Sequence, residues 1–115
     1  MDLTYEDHQD GVRTIRLSGR LDLEGADAID LKLTSLAAVR KGYVVLDMAL
    51  VEFLASIGVS VIVRTARALS AREGRLVLLS PRPNVADVLI RTQIDQIVPV
   101  YHDLDEARAA LLAAP

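Results

Sequence analysis

The stretch Val44-Val45-Leu46-Asp47-Met48-Ala49-Leu50-Val51-Glu52-Phe53-Leu54-Ala55-Ser56-Ile57-Gly58 joins an apolar run to a serine placed just ahead of a helical pattern. From there onward Ile57, Val61, Ile62, Thr65, Ala66, Ala68 and Leu69 recur at helical spacing. Ser56 therefore falls where an N-cap residue belongs, its hydroxyl set to accept from the unpaired amides of the first turn. At about 100° per residue, Ser56 lies opposite the apolar stripe, in line with Val59, Ser60, Val63 and Arg67. An exposed ridge headed by Ser56 is the expectation. Before it, Tyr43 to Asp47 is apolar at consecutive positions, as in a central strand covered on both faces, and its end leads into the loop bearing Ser56.

Upstream, Leu3 to Glu6 and Val12 to Leu17 alternate as strands around Asp10-Gly11, a hairpin signal that makes them antiparallel. After Gly19 a polar break leads to a helix with Ala26, Ile29, Leu33, Leu36 and Ala37 on one face, its start capped or charge-complemented by Asp22 or Glu24. Arg40-Lys41-Gly42 closes that helix. Downstream, the second helix runs to about Glu73 and stops at Gly74, and Arg75 to Leu79 reads as another buried strand. Ser80-Pro81-Arg82-Pro83 opens a third helix with core residues Val85, Val88, Leu89 and Thr92. Ile97 to Val100 is a short strand that Pro99 assigns to an edge, and Asp103 caps a last helix ending at Leu112. Two opening strands followed by strand-helix alternation give an α/β domain: a mixed, mostly parallel sheet of about five strands with about four helices packed against it.

The 115 residues make about one domain, which buries roughly two thirds of the unfolded chain's surface and supports a core without covalent staples. That core is aliphatic, since 51% of residues are hydrophobic and only 3% aromatic, so stacking platforms for single-stranded nucleic acid are missing. A net charge of −3, spread rather than blocked, points away from nucleic acid and anionic membranes and toward a protein partner. Without cysteine there is no disulfide framework, thiolate metal site or cysteine nucleophile. The acidic start and the lack of an apolar run near about 18 residues argue against a signal peptide or spanning helix, so the expected location is the cytoplasm, with no direct membrane insertion.

The segment Ala55-Ser56-Ile57-Gly58-Val59-Ser60 resembles the motif of the STAS family of anti-sigma-factor antagonists, roughly Asp-Ser-Ser-Gly-Leu-Gly, around the serine that the family phosphorylates. It keeps that serine and the first glycine and replaces the aspartate, the second serine and the second glycine. Leu17-Ser18-Gly19-Arg20-Leu21-Asp22 looks like the family's Gly-x-Leu-Asp, and Gly74-Arg75-Leu76-Val77-Leu78 like its fourth strand. The stretches Pro83 to Thr92 and Ile94 to Tyr101 resemble its closing part, with Gln93 where a glycine is common.

The resemblance implies a single STAS domain over residues 1–115 and phosphorylation of Ser56. It also implies a partner surface that includes Asp22, Ser56, Gly58, Val59, Ser60 and Val63. The implied partners are an anti-sigma factor with a histidine-kinase-like ATP-binding fold, which phosphorylates the domain and releases it, and a PP2C-type phosphatase that resets it. Two other readings remain: a STAS accessory subunit of a phospholipid-trafficking ABC-type transport complex, and a non-phosphorylated STAS scaffold. Enzyme readings fare badly. His8 and His102 stand in polar loops with no motif spacing to Ser56. A hydrolase elbow would need Gly-x-Ser-x-Gly, whereas Ala55 and Ile57 flank the serine and only Gly58 fits. No phosphate loop, dinucleotide fingerprint or metal-ligand spacing occurs, so no cofactor and no metal are expected.

Overall fold

The computed structural model describes residues 1–38 and 42–113. Strand β1 (Asp2–Asp7) turns back through Gly11 into β2 (Val12–Leu21), and the two pair antiparallel from Asp2 opposite Ser18 to Asp7 opposite Arg13. Helix α1 (Leu23–Ala38), β3 (Tyr43–Leu54), α2 (Ser56–Ser70), β4 (Arg75–Leu79), α3 (Pro83–Arg91), β5 (Val100–Tyr101) and α4 (Leu104–Leu112) follow, with a single 3-10 turn at Ile94–Gln96. The strands lie side by side in chain order, and every pairing after the first is parallel. The mixed, mostly parallel sheet with four helices read from the alternation is the one observed. The closing of α1 at Arg40-Lys41 lies outside the described residues.

Strand alternation divides the core. Ile15, Leu17, Val44, Leu46, Met48, Leu76 and Leu78 face α1, α2 and α3, which supply Ala26, Ile29, Leu33, Val61, Ile62, Leu69, Val85 and Leu89. On the opposite face Val12, Val45, Val77 and Leu79 meet only α4, through Ala107 and Leu111. An ion pair between Arg108 and Asp10, at 2.8 Å, ties α4 to the β1–β2 turn. The Val12 amide donates to Asp10 as well, and this bond, followed by Arg108, holds the Asp10 carboxyl below the usual carboxylate range.

Several boundaries differ from the sequence reading for identifiable reasons. Strand β3 does not stop at Asp47 but continues to Leu54, because β2 also continues, to Leu21, and the two extensions pair with each other beyond the reach of β4. The pairing changes register between Arg16 and Ser18 and again between Gly19 and Arg20. At the first shift buried Asp47 binds Arg16 at 3.1 Å and accepts the Ala49 amide at 3.0 Å, so the irregular backbone is satisfied by a side chain. Helix α2 ends at Ser70 rather than near Glu73, and Glu73 takes the left-handed conformation, with φ 62°. Helix α3 begins at Pro83 with Arg82 ahead of it, and Thr92 lies exposed rather than in its core stripe. Gln93 occupies the left-handed region at φ 61°, so the chain leaves α3 as a glycine would allow, but with a side chain present. Only Val100 and Tyr101 form β5, since Ile97 has already turned helical; it is an edge strand, as Pro99 suggests.

Candidate functional site

The paired extensions of β2 and β3 carry two helix starts side by side. The Ala55 amide donates to the Leu21 carbonyl at 3.0 Å, which fixes the chain just before α2 to the end of β2. Asp22 follows immediately and caps α1: its carboxylate accepts the Gly25 amide at 3.0 Å and its carbonyl accepts the Ala26 amide at 2.8 Å. The Gly25 bond holds the Asp22 carboxyl below the usual carboxylate range, with help from Arg20 at 3.4 Å and against some desolvation. Asp22 thus stands as an anion one residue from the point where β2 holds the head of α2.

Ser56 is exposed in the first turn of α2, but it is not the N-cap. Ala55 occupies that position with extended backbone, φ −97° and ψ 169°, and no side chain caps the helix. The Ala55 carbonyl accepts from both Gly58 and Val59, at 2.9 and 3.1 Å. The amides of Ser56 and Ile57 have no partner among the described residues and stay open at the positive end of the helix. The Ser56 hydroxyl is therefore committed to no capping bond. Ser60, one turn on, is exposed and donates to the Ser56 carbonyl at 3.3 Å.

The expected ridge is only partly present. Val59 is buried, at 8% exposure, and packs in the core; Val63 is half-buried against it. Gly58 is buried too. A Cβ at position 58 would come within 2.7 Å of Leu21 Cγ and of Leu54 Cδ1, and within 2.8 Å of the Leu21 carbonyl oxygen. The glycine is a seat on which α2 rests against the strand ends, and this close approach rotates the first turn so that Gly58 and Val59 face inward and Ile57 outward. Ser56, Ser60, Arg64 and Arg67 make the outer face.

Exposed apolar surface at the ends of these elements comes from residues the periodicity assigned elsewhere or left aside. Ile57 is 36% exposed, Phe53 38% and Leu23 64%. Arg20 lies 4.4 Å from the Phe53 ring centroid and covers one face of it. The one available signal was compositional: Phe53 is the single phenylalanine of the chain, three residues ahead of the serine. Neither histidine joins this group. His8, in the β1–β2 turn at the far end of β2, bonds Thr14 at 2.8 Å, and His102 follows β5, two strands from β3. Among the described residues no cluster of three histidine, aspartate or glutamate side chains is placed to hold a metal, and no helix is long and apolar enough to cross a membrane.

A five-stranded α/β sheet in this strand order, with a free serine hydroxyl at the head of its second helix, defines a small domain of the STAS fold. The STAS domain family model matches residues 6–107, and the chain belongs to that family. It is 28% identical over 108 residues to BtrV of Bordetella bronchiseptica, a protein named as an anti-sigma factor antagonist, covering 94% of this chain and 93% of that one. The anti-sigma F factor antagonist of Paenibacillus polymyxa is 27% identical over 103 residues, 88% of each chain. The crystal structure of an anti-sigma factor antagonist from Mycobacterium paratuberculosis superposes with a TM-score of 0.86 at 28% identity, over 97% of this chain and 94% of that one.

Proposed function

We infer that this protein is an anti-sigma factor antagonist of the cytoplasm, a binding module rather than an enzyme. In its unmodified form it binds an anti-sigma factor of histidine-kinase-like ATP-binding fold through the helix heads at Asp22 and Ser56. Phosphorylation of Ser56 by that partner ends the binding, and a PP2C-type phosphatase restores it. The observation that carries this reading is the Ser56 hydroxyl itself: exposed, uncommitted to a cap, and set beside two open amides, in a chain whose relatives along nearly its full length are named for this function.

The physics of the switch is local. A phosphoserine adds about 1.5 to 2 negative charges and three acceptor oxygens. Open amides and the helix dipole accommodate that charge without unfolding α2. The same charge stands next to exposed Ile57, where a partner that buries apolar area would have to desolvate it.

The test is phosphate transfer from the co-purifying kinase, with the modified residue located by mass spectrometry. Wild type should take phosphate on Ser56 and lose affinity. Ser56→Ala should take none while its stability stays within about 0.5 kcal/mol of wild type, because no capping bond is lost. Phosphate on Ser60 or Ser18 would overturn the assignment. A second reading draws on one observation: Ala55 supplies no carboxylate beside the hydroxyl, which suits a permanent interface in a transport complex or scaffold. A stable complex whose affinity ignores phosphorylation would favour it.

A further inference from the structure

Helix α2 has a second end, about 21 Å from Ser56 at 1.5 Å per residue, and a wide groove opens there, with a volume of about 500 Å³. Its floor is an unfinished sheet edge. The Leu78 and Ser80 amides donate to the Pro99 and Tyr101 carbonyls, both at 2.8 Å, so even-numbered residues of β4 direct their main chain toward β5. The Arg75 amide donates to Gly42, on the β3 side, as odd-numbered residues should. By that alternation Leu76 directs its N–H and C=O toward the β5 side, where no bond joins either to β5 or to the turn before it among the described residues. Two local features stop the ladder there. Pro99 has no N–H to give the Leu76 carbonyl, and Ile97, at φ −105° and ψ −42°, has left the strand path.

The walls above this edge are apolar and basic. Val63 and Ala66 of α2 line one side, Ala110 and Leu111 of α4 the other. Arg67 stands with α2, and Arg75, which shares a strand face with Val77 and Leu79, stands with α4. Neither arginine makes an ion pair among the described residues, although six other arginines of the chain do. Two arginines without an ion pair among the described residues, flanking a strand edge, suit an occupant that brings both carboxylates and main-chain groups.

We propose that this groove binds an extended acidic-apolar peptide segment of a partner protein, which pairs with Leu76 as an added strand and sets carboxylates against Arg67 and Arg75. Successive side chains of an added strand point to opposite sides, so such a segment presents valine-like and acidic residues to both walls at once. An amphipathic carboxylate such as a fatty acid would satisfy the arginines and the walls but leave the Leu76 amide and carbonyl open, so the peptide is the better match. This site is separate from Ser56 and does not depend on the phosphorylation reading.

The probe is a fluorescein-labelled peptide, Glu-Val-Val-Glu-Val-Val-Glu amide, followed by anisotropy, with amide NMR on the unlabelled complex. Saturable binding is expected, together with a shift of the Leu76 amide. Arg67→Glu should weaken binding by roughly tenfold or more, with a further loss on adding Arg75→Glu, and Arg72→Glu, which makes the same charge change as Arg67→Glu but lies outside the groove, should not. Should the double variant fail to melt cooperatively, Arg67→Glu alone, on an exposed helix position, carries the comparison. A lysine analogue of the peptide and two analogues N-methylated at alternate amides, one in each phase, complete the set. Lost binding for the lysine analogue and for at least one methylated phase supports the site. No saturable binding, equal binding of the lysine analogue or of both methylated peptides, or binding of decanoate in place of the peptide overturns it.

Discussion

Replacing Gly58 with alanine sets two effects of opposite sign against each other. On propensity alone the change should stabilise α2 by about 1 kcal/mol, as it would at an exposed helical position. The added methyl, however, would lie 2.7 Å from two leucine side-chain carbons and 2.8 Å from the Leu21 carbonyl oxygen. Leu21 and Leu54 can yield by changing rotamer, at the usual overpacking cost of about 2 kcal/mol. The carbonyl yields only if the first turn of α2 lifts away from β2, which stretches the 3.0 Å bond from Ala55 to that same oxygen and costs about 1 kcal/mol more. The balance is a destabilisation of about 2 kcal/mol, or about 8 °C in Tm for a domain of this size. In urea the midpoint should fall by about 1 M with an unchanged slope. Partner affinity should fall more than stability explains, because Ser56 and Ile57 move with the turn. A midpoint equal to or above that of wild type would show that the glycine is merely tolerated and that the seat is not tight.

Other substitutions test other parts of the structure. Ala55→Asp should raise stability by about 1 kcal/mol in urea titrations, since the extended N-cap backbone offers a carboxylate the open first-turn amides, and should speed phosphate transfer to Ser56 in initial-rate assays at fixed ATP. Gln93→Gly should stabilise by about 1 kcal/mol by removing a side chain from the left-handed region, read as an increase of about 4 °C in Tm. Asp10 and Asp22 have lowered folded-state pKa values, so the stability they contribute is present above the ordinary value of 3.8 and is lost as pH falls through the folded values. Asp10→Asn should accordingly flatten the decline of Tm on acidification between about pH 5 and pH 2, and an unchanged slope would deny the Val12 and Arg108 contacts that role.

Periodicity carried the architecture far. Consecutive apolar residues marked β3 and β4 as central, Asp10-Gly11 gave the hairpin, and Asp103 does accept the Asp105 amide at 2.9 Å at the head of α4. What it did not carry was contact between main chains. The extension of β3 past Asp47 depends on β2 extending with it, and alternation fades there because the register shifts. The helical wheel of α2 placed Val59 outside and Ile57 inside, since no wheel includes the glycine contact that turns the first turn inward. Ser56 was found as the head of α2, yet its capping role went to Ala55, whose side chain cannot cap at all. Asp22 was legible as a cap from its position ahead of an apolar helix, whereas Leu23 and Phe53 gave no periodic signal, being exposed at the ends of elements.

The joint between α2 and the strand ends is made almost wholly of main-chain atoms: an Ala55 amide on a Leu21 carbonyl, and that carbonyl against a glycine. Peptide groups do not mutate. Over evolutionary time such a joint asks for one small residue at one position and leaves its neighbours free to drift, in keeping with a fold shared at a TM-score of 0.86 and only 28% identity. Under the function proposed above, partner choice can change through exposed side chains such as Ile57 while the mounting of the hydroxyl stays as it was. New regulatory pairings in such a lineage can then arise by exchanging surface side chains alone, without a passage through poorly folded intermediates.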